Sequence, residues 1–334
     1  MNRLAGGTSE SRARLLLSAS RHPLANVVVG GLRDAAVDAD TPLVVAVSGG
    51  ADSMAMLVLL AAVRERTDPR LESLAVASID HGIRPESRAE AEAAIALAGR
   101  IGISRASVVR VTVSRDGNLL DAARHARLDG LRSAARDFGS RHIALAHHAE
   151  DRAESLLLAL SRGGGLDALT GLRARRELDD GVVLVRPLLR ARRAHLRELL
   201  VQAGVCWHED PSNALRARGS LRGDPSTAAL IDRLAAGAST ALDEAERLSD
   251  LRDSLVAAAL PAGSTALSRA GFDALPAAIR PAALARLARA AGVQLPRSVV
   301  EQCVVVAPGD RDPRTFDCGG GRVLSITARA VTVD

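Results

Sequence analysis

The sequence is constrained most by a regular alternation of short apolar runs and longer helical stretches between residues 43 and 203. Five runs have the length and the branched apolar content of buried β-strands. They are residues 43–47, 74–80, 107–113, 142–147 and 182–187. Because a helical stretch follows each run, the strands must be joined by right-handed crossovers. We therefore predict an α/β fold, doubly wound around a mainly parallel five-stranded sheet.

The alternation ends after Asn213 and predicts a second domain. Residues 228–260 have helical spacing, and residues 322–333 alternate as edge or hairpin strands do. We expect a catalytic domain over residues 26–215 and a smaller C-terminal α+β domain over residues 226–334. Residues 1–25 are rich in Arg and Ser, which predicts a disordered segment or an extension outside the fold.

The absence of lysine excludes two classes of active site in this chain. All 44 residues counted as Lys or Arg are Arg. A P-loop NTPase needs the lysine of its GxxxxGK[ST] motif, and Schiff-base catalysis needs an internal lysine. With three Phe, one Trp and no Tyr, the chain would bind a nucleic acid through Arg and phosphate rather than through stacked rings.

Three cysteines without a CxxC motif argue against a disulfide framework, a zinc ribbon and an iron–sulfur site. This cysteine usage predicts a reducing, cytoplasmic compartment. No apolar run reaches about 18 residues without a charge, so we expect neither a membrane span nor a membrane partner. The sequence leaves the oligomeric state open.

A glycine-rich segment, SGGADS at residues 48–53, joins the first predicted strand to a helix. Its two glycines let main-chain N–H groups curve around an anion, and the helix N-terminus adds the positive end of its dipole. Asp52 is suited to Mg²⁺ that bridges phosphates. The alternative is a glycine turn with a serine helix cap; phosphate binding is favoured.

Polar clusters follow three of the predicted strands, at residues 48–53, 80–84 and 147–151. Ligands of open parallel sheets bind beyond the carboxyl ends of the strands, so we expect the three clusters to form one site. The pair His147-His148 with Asp151 is interpreted as a hydrogen-bonding group, with metal ligation as the less favoured alternative.

The segment SGGADS matches the SGGxDS pattern of the ATP pyrophosphatases, and six further segments resemble motifs of the tRNA(Ile)-lysidine synthetase family, in the family's order. They are SIDHGIR at 78–84, DAARHAR at 121–127, AHHAEDRAE at 146–154, RGGG at 162–165 with LTGL at 169–172, RPLL at 186–189 with Arg193, and WHEDPSN at 207–213. Glu150 and Arg152 stand where the family has Asp and Gln. The resemblance covers about residues 43–213.

The resemblance implies an adenine nucleotide alpha hydrolase-like fold and a ligase. The family uses ATP, with Mg²⁺, to adenylate the wobble cytidine in the CAU anticodon of tRNA(Ile) and to release pyrophosphate. The amine of free L-lysine then attacks C2 of the cytidine, and AMP leaves to give lysidine. The implied partners are this tRNA and L-lysine.

The resemblance also gives candidate roles to individual residues. The catalytic candidates are Asp52, Arg124 and Asp151. The ATP-binding candidates are Ser48, Gly49, Gly50, Ala51, Asp52, Ser53, Asp80, His81 and Arg84. The lysine- or cytidine-binding candidates are Arg127, His147, Glu150, Asp151 and Glu154. The tRNA-binding candidates are Arg193, Arg218 and Arg222.

Two other functions use the same features. A tRNA thiolase of the same superfamily would need cysteines near the site, where this sequence places none of its three. A non-catalytic nucleotide- or tRNA-binding protein would not need the catalytic candidates, which this sequence retains.

Overall fold

The computed structural model divides into two compact units, Met1–Leu242 and Asp243–Asp334. The residues that it describes are 3–37, 42–66, 71, 73–82, 86–113, 118–178, 180–209, 223–306, 310 and 312–334. None of the helices in these ranges is both long enough and apolar enough to cross a membrane.

The first unit contains a six-stranded sheet. Its strands are β1 Leu43–Ala46, β2 Leu74–Asp80, β3 Ala106–Arg110, β4 His142–Ala144, β5 Arg175–Glu177 and β6 Val183–Val185. They lie in the order β3-β2-β1-β4-β6-β5. All neighbouring pairs except the last are parallel, which confirms the predicted, mainly parallel arrangement of five strands.

The sixth strand, β5, is an addition to the predicted sheet. It pairs antiparallel with β6 at the edge of the sheet. Its sequence, Arg-Arg-Glu, has no apolar residue, so the pattern that revealed the other strands is missing. Charged residues are common in edge strands because they discourage pairing with other chains.

Helices cover both faces of this sheet. The described helices that lie wholly in the first unit are α1 Arg3–Arg21, α2 Pro23–Asp34, α3 Ala51–Arg64, α4 Ser87–Arg100, α5 Leu119–Asp137, α6 Ala149–Ser161, α7 Leu166–Leu169, α8 Arg193–Gln202 and α9 Pro225–Gly237. Alternate residues of β1 point to opposite faces, so Val45 packs in a core cluster with Leu57 of α3, and Val44 packs in another with Leu131 of α5. This arrangement confirms the doubly wound fold.

The N-terminal helix corrects the expectation that residues 1–25 lie outside the fold. Leu15, Leu16 and Ala19 of α1 are buried in the same cluster as Leu57. Their spacing places them on one face of a helix. The abundance of Arg and Ser in this segment concealed that pattern, because most of the Arg and Ser side chains lie on the other faces.

Helix α9 corrects the predicted start of the C-terminal domain. Ile231 of α9 is buried against Ala149 and Ala153 of α6. The first unit therefore extends to Leu242, and the boundary predicted at residue 226 falls too early. Sequence composition could not show on which unit this helix packs.

The second unit is the predicted smaller α+β domain. Helix α10 Ser239–Ala259 crosses the division, and the elements that follow are β7 Ala266–Ser268, α11 Arg269–Ala274, α12 Arg280–Ala290, α13 Arg297–Val304, β8 Arg314–Gly319, β9 Arg322–Ile326 and β10 Ala330–Val333. The strands form an antiparallel sheet in the order β7-β10-β9-β8. Phe272 is fully buried in its core, and the Arg280 guanidinium lies 5.3 Å from the centre of the Phe272 ring.

Candidate active site

The segment 48–53 forms a loop between β1 and α3, and its own serine side chains close it. Ser53 Oγ accepts a hydrogen bond from Ser48 N at 3.1 Å and donates one to the Gly50 carbonyl at 2.9 Å. Ser48 Oγ lies 3.2 Å from Ser53 Oγ. Because a hydroxyl has a single proton, Ser48 is the donor in this contact. The Ser53 proton is therefore used within the loop.

Gly49 is required by both its conformation and its surroundings. Its φ is +81°, which L-residues with a side chain avoid. A Cβ atom on Gly49 would lie 2.9 Å from the Glu90 carbonyl oxygen of α4. The Gly49 carbonyl accepts a hydrogen bond from His208 N at 3.0 Å. His208 lies in the WHEDPSN segment, but the motif gave it no role, because it contributes through its main-chain N–H and not through its side chain.

Helix α3 presents its N-terminus at this loop. Gly50 is the N-cap, and no side chain caps the helix. The first N–H groups of a helix have no partner inside it, and they carry the positive end of the helix dipole. Ser48 is exposed and Asp52 is partly buried. The loop therefore offers main-chain donors to an anion at the carboxyl edge of the sheet.

Asp80 ends β2 and organises the second predicted cluster. Its Oδ1 accepts hydrogen bonds from Gly82 N at 2.9 Å and from Ser87 Oγ at 2.8 Å. The hydrogen bond from Gly82 N, and after it the bond from Ser87, lower the pKa of Asp80, although burial would raise it. Asp80 is thus a carboxylate that fixes the start of α4. His81 beside it is partly buried, and Arg84 lies outside the described residues.

His148 joins the third cluster to the loop. Its buried ring has Nε2 at 3.5 Å from Asp52 Oδ2 and at 3.5 Å from Asp151 Oδ2, and Nδ1 at 2.9 Å from Glu150 Oε2. Burial disfavours a charge on the ring, but the carboxylates, Asp151 first, raise the pKa of His148 from 6.5 to about 10. His148 is therefore a cation at neutral pH, surrounded by three acids.

Glu150 is engaged on both of its carboxylate oxygens. Oε1 accepts a hydrogen bond from Arg192 Nε at 2.8 Å, and Oε2 accepts one from Arg193 N at 3.1 Å. Burial would raise the pKa of Glu150, but His148 and Arg192 lower it from 4.5 to about 2. No motif pointed to Arg192 in this position, because it lies 42 residues from Glu150 in the sequence.

His147 and Glu154 lie on either side of this cluster in the sequence and differ in their exposure. His147 is partly buried, and its Nδ1 lies 3.3 Å from Arg186 Nε, which is the donor. A nitrogen that accepts a hydrogen bond carries no proton, so a neutral His147 has its proton on Nε2. Glu154 and Arg152 of α6 are buried.

The arginine candidates are not part of the carboxylate cluster. Arg124 and Arg127 lie on α5, where Arg124 is exposed and Arg127 is partly buried. Within the described ranges, Arg124 makes no hydrogen bond or ion pair. Arg193 begins α8 and contacts Glu150 through its main chain. The predicted tRNA-binding residues Arg218 and Arg222 lie outside the described residues.

Asp52 is suited to hold a magnesium ion together with a bound phosphate. Its Oδ1 is buried and has no hydrogen-bond partner among the described residues. The same residues contain no group of three or more His, Cys, Asp or Glu side chains arranged to hold a metal ion. Mg²⁺ commonly takes one or two carboxylates and completes its shell with phosphate oxygens and water, which fits the single free oxygen of Asp52.

The fold and the loop agree with comparisons to known proteins. The PP-loop domain family matches residues 25–222. Among solved structures, the U34-tRNA thiolase NcsA from Methanococcus maripaludis, with its [4Fe-4S] cluster, superposes with a TM-score of 0.52. The alignment covers 67% of this chain and 78% of that chain at 17% identity. At this identity the likeness concerns the fold alone.

Several curated relatives are named tRNA(Ile)-lysidine synthase. The protein of Ruegeria pomeroyi is 43% identical over 186 residues, which are 54% of this chain and 43% of that protein. The protein of Rhodopseudomonas palustris is 41% identical over 52% of this chain and 49% of its own length. The chain thus spans about half the length of these two relatives. The protein of Methylobacterium sp. is 38% identical over 71% of this chain and 70% of its own length. The chain belongs to the PP-loop proteins and, among them, to the tRNA(Ile)-lysidine synthase family.

Proposed function

We propose that this protein ligates L-lysine to C2 of the wobble cytidine in the CAU anticodon of tRNA(Ile). The observation that carries the proposal is the junction at His148, where the anion-binding loop meets the acidic start of α6. A phosphate bound at the loop and an amine bound by acids would then lie at the same edge of the sheet. The named relatives support the identity of the substrates.

ATP is bound at the loop in this proposal. The main-chain donors and hydroxyls of residues 48–53 receive the phosphates, with Asp80, His81 and Arg84 completing the nucleotide site. Asp52 holds Mg²⁺ through its unpartnered Oδ1. When bound, the ion neutralises phosphate charge and orients the pyrophosphate that leaves. Arg124 stabilises negative charge as it develops at the α-phosphate.

The reaction proceeds in two displacements. The O2 oxygen of the cytidine attacks the α-phosphorus of ATP, a P–O bond forms, and pyrophosphate leaves. The lysine amine then attacks C2, the C–O bond breaks with AMP as the leaving group, and the amine loses a proton. Asp151, Glu154, His147 and Arg127 are the proposed contacts of lysine or of the cytidine.

The tRNA is bound through arginines. Arg193, Arg218 and Arg222 are proposed to contact its phosphates, and the second unit is proposed as a further tRNA-binding domain. A reaction that consumes tRNA, ATP and a free amino acid takes place in the cytoplasm, which is the proposed compartment.

A single assay tests the reaction. Purified protein is incubated with MgATP, radiolabelled lysine and a transcript of the tRNA with a CAU anticodon. We expect lysine to be transferred to the tRNA, with one AMP and one pyrophosphate released for each lysine. Binding of ATP without transfer would indicate a non-catalytic nucleotide-binding protein and would refute the proposal. A matched transcript with a UAU anticodon, which lacks the wobble cytidine, measures background transfer.

A further inference from the structure

We propose that Glu150 and Arg192 are positioning residues, which hold the His148 ring against Asp52 of the loop, and that Glu150 does not bind the lysine amine. This inference deepens the proposed function and rests on it. It removes Glu150 from the lysine-binding candidates and adds Arg192, which no motif of the resemblance includes.

Glu150 has little acceptor capacity left for a ligand. Its side chain is only 12% exposed. One oxygen accepts from Arg192 Nε, and the other accepts from Arg193 N and faces His148 Nδ1. An incoming ammonium group would therefore find a carboxylate that is nearly buried and already shared among two donors and the His148 ring, with little of its acceptor capacity left. Charge-assisted hydrogen bonds of this kind are among the strongest in proteins.

Arg192 forms two ion pairs that differ in burial. Its Nη2 also bonds to Asp232 of α9, but the Asp232 side chain is 70% exposed. Exposed pairs contribute little because water screens them. The pair with Glu150 is largely shielded from solvent, so it determines where the guanidinium lies. Arg192 thus acts mainly on Glu150.

The His148 ring links Glu150 to Asp52 of the loop. His148 Nδ1 forms no aligned hydrogen bond among the described residues, but it lies in a close charge contact with Glu150 Oε2 at 2.9 Å. Because the imidazole ring is planar and rigid, this contact also restrains the direction of Nε2. In this orientation Nε2 lies equally close to Asp52 and to Asp151, at 3.5 Å from each. Loss of the Glu150 charge would loosen the His148 ring, so that Nε2 would no longer be held beside Asp52. The effect of Glu150 therefore reaches the phosphate side of the site.

The test separates the phosphate side from the amine side. Glu150→Gln keeps the size of the side chain and removes its charge, and Arg192→Gln removes the guanidinium. The control is Arg190→Gln in the same loop, because Arg190 pairs with Asp34 of α2 at 3.2 Å and is half exposed. Two quantities are measured: the dissociation constant of Mg²⁺–α,β-methylene ATP by calorimetry without tRNA or lysine, and KM for lysine.

We expect Glu150→Gln and Arg192→Gln each to weaken binding of the analogue about tenfold, as is typical when a partner of a metal- or phosphate-binding residue is removed. KM for lysine should stay within about twofold, since neither side chain touches the amine and the main-chain N–H of His148 still holds Asp151, at 3.0 Å from its Oδ2. The double variant should bind the analogue no more weakly than the weaker single variant, because both act through one contact chain. Arg190→Gln should bind it as the wild type does.

A tenfold rise in KM for lysine with unchanged analogue binding would overturn the inference, and so would unchanged values of both quantities. Calorimetry needs no turnover, so the inference is still tested if the wild type binds the analogue but transfers no lysine. Arg192→Lys guards against misfolding, because it keeps a cation beside Glu150. We expect it to bind the analogue with an affinity between those of the wild type and Arg192→Gln.

Discussion

Single residues of the site are constrained by different physical effects. Gly49 is constrained by space and backbone conformation, since a carbonyl of α4 occupies the position of a side chain. Asp52 is constrained by charge, since it faces a buried imidazolium on one oxygen and has a free second oxygen. Glu150 is constrained by hydrogen bonding on both oxygens. Substitutions at these positions should therefore fail in distinguishable ways.

We expect Gly49→Ala to lower the free energy of unfolding by about 1–3 kcal/mol, the usual cost of a residue held in a disfavoured conformation. Nucleotide binding should be lost as well. Gly50→Ala is the control for stability, since Gly50 has φ −77° and the nearest atom to a Cβ there lies 3.6 Å away. Urea unfolding measures the stability of both variants. Equal losses of stability in the two variants would contradict the role of the left-handed turn.

Asp52→Ala should abolish formation of the adenylate, because the variant lacks the carboxylate proposed to hold the magnesium ion. Affinity for tRNA should change by no more than a few fold, since Asp52 lies at the loop and not on a basic surface. Pyrophosphate release, assayed in the absence of lysine, measures adenylate formation. Filter binding of labelled tRNA measures the affinity for tRNA. Normal adenylation in this variant would rule out the proposed role of Asp52.

The depressed pKa of Glu150 predicts an acid-dependent contribution to stability. The pKa of Glu150 is about 2 in the folded protein, against 4.5 for an unperturbed glutamate, which stands for the unfolded state. The folded state therefore holds the proton less tightly than the unfolded state. The contribution is fully present above the reference pKa and is lost as pH falls toward the folded pKa. The wild type should be more stable than Glu150→Gln at neutral pH by about 1.5–3 kcal/mol, the usual range for hydrogen bonds to a charged group.

This difference should shrink steadily as pH falls from roughly 5 to 3, which urea unfolding of both proteins can follow. A difference that is the same at every pH would show that Glu150 stabilises the fold by packing alone. Arg190→Gln provides a background variant in which no such trend is expected.

Among the structural elements, α9 contacts the rest of the first unit through an apolar face and through an ion pair, which differ in burial. Ile231 is 4% exposed and packs on α6, whereas the Asp232 side chain is 70% exposed and pairs with Arg192. Burial of an apolar side chain contributes more than an exposed ion pair. The helix is therefore held mainly by its apolar face.

Ile231→Ala should destabilise the docking of α9 by about 2–5 kcal/mol, through lost apolar contact and the cavity left behind. Asp232→Asn should cost less than about 1 kcal/mol. Hydrogen exchange of the α9 amides measures both effects, with the amides of α3 as an internal reference. Equal protection in the two variants would mean that the ion pair contributes as much as the packing and would contradict this prediction.

The whole molecule is a positively charged protein whose cations are all arginines. The net charge is +5, with 44 cationic against 39 acidic residues. Arginine binds phosphate through a planar fork of donors and remains charged at any physiological pH. Affinity for tRNA should therefore depend strongly on salt, as expected for a protein that displaces counterions from phosphates.

Arg218→Ala and Arg222→Ala should each weaken tRNA binding and reduce the slope of log K against log salt by about one. Binding measured over a series of salt concentrations gives this slope. The control is Arg88→Ala, whose side chain forms an exposed pair with Glu92 on α4. If the slope stays the same in Arg218→Ala and Arg222→Ala, these residues do not contact phosphates.

The sequence was sufficient for features that depend on local pattern. The five parallel strands were recognised because buried strands are continuous apolar runs, and the loop at residues 48–53 because its glycines and acid are contiguous. β5 was missed because an edge strand needs no apolar residue. The pair Glu150–Arg192 was missed because it joins residues 42 apart, and only the folded chain brings them together. The positions of Arg218 and Arg222 remain predictions.

The contact between the Gly49 carbonyl and the His208 amide has a consequence for biosynthesis. During translation, β1 and α3 leave the ribosome long before residue 208 is added to the chain. A nascent chain can thus complete the strand and the helix on either side of the loop while the loop still lacks this bond. We therefore expect the loop to reach the shape proposed for nucleotide binding only when nearly the whole first unit has been synthesised.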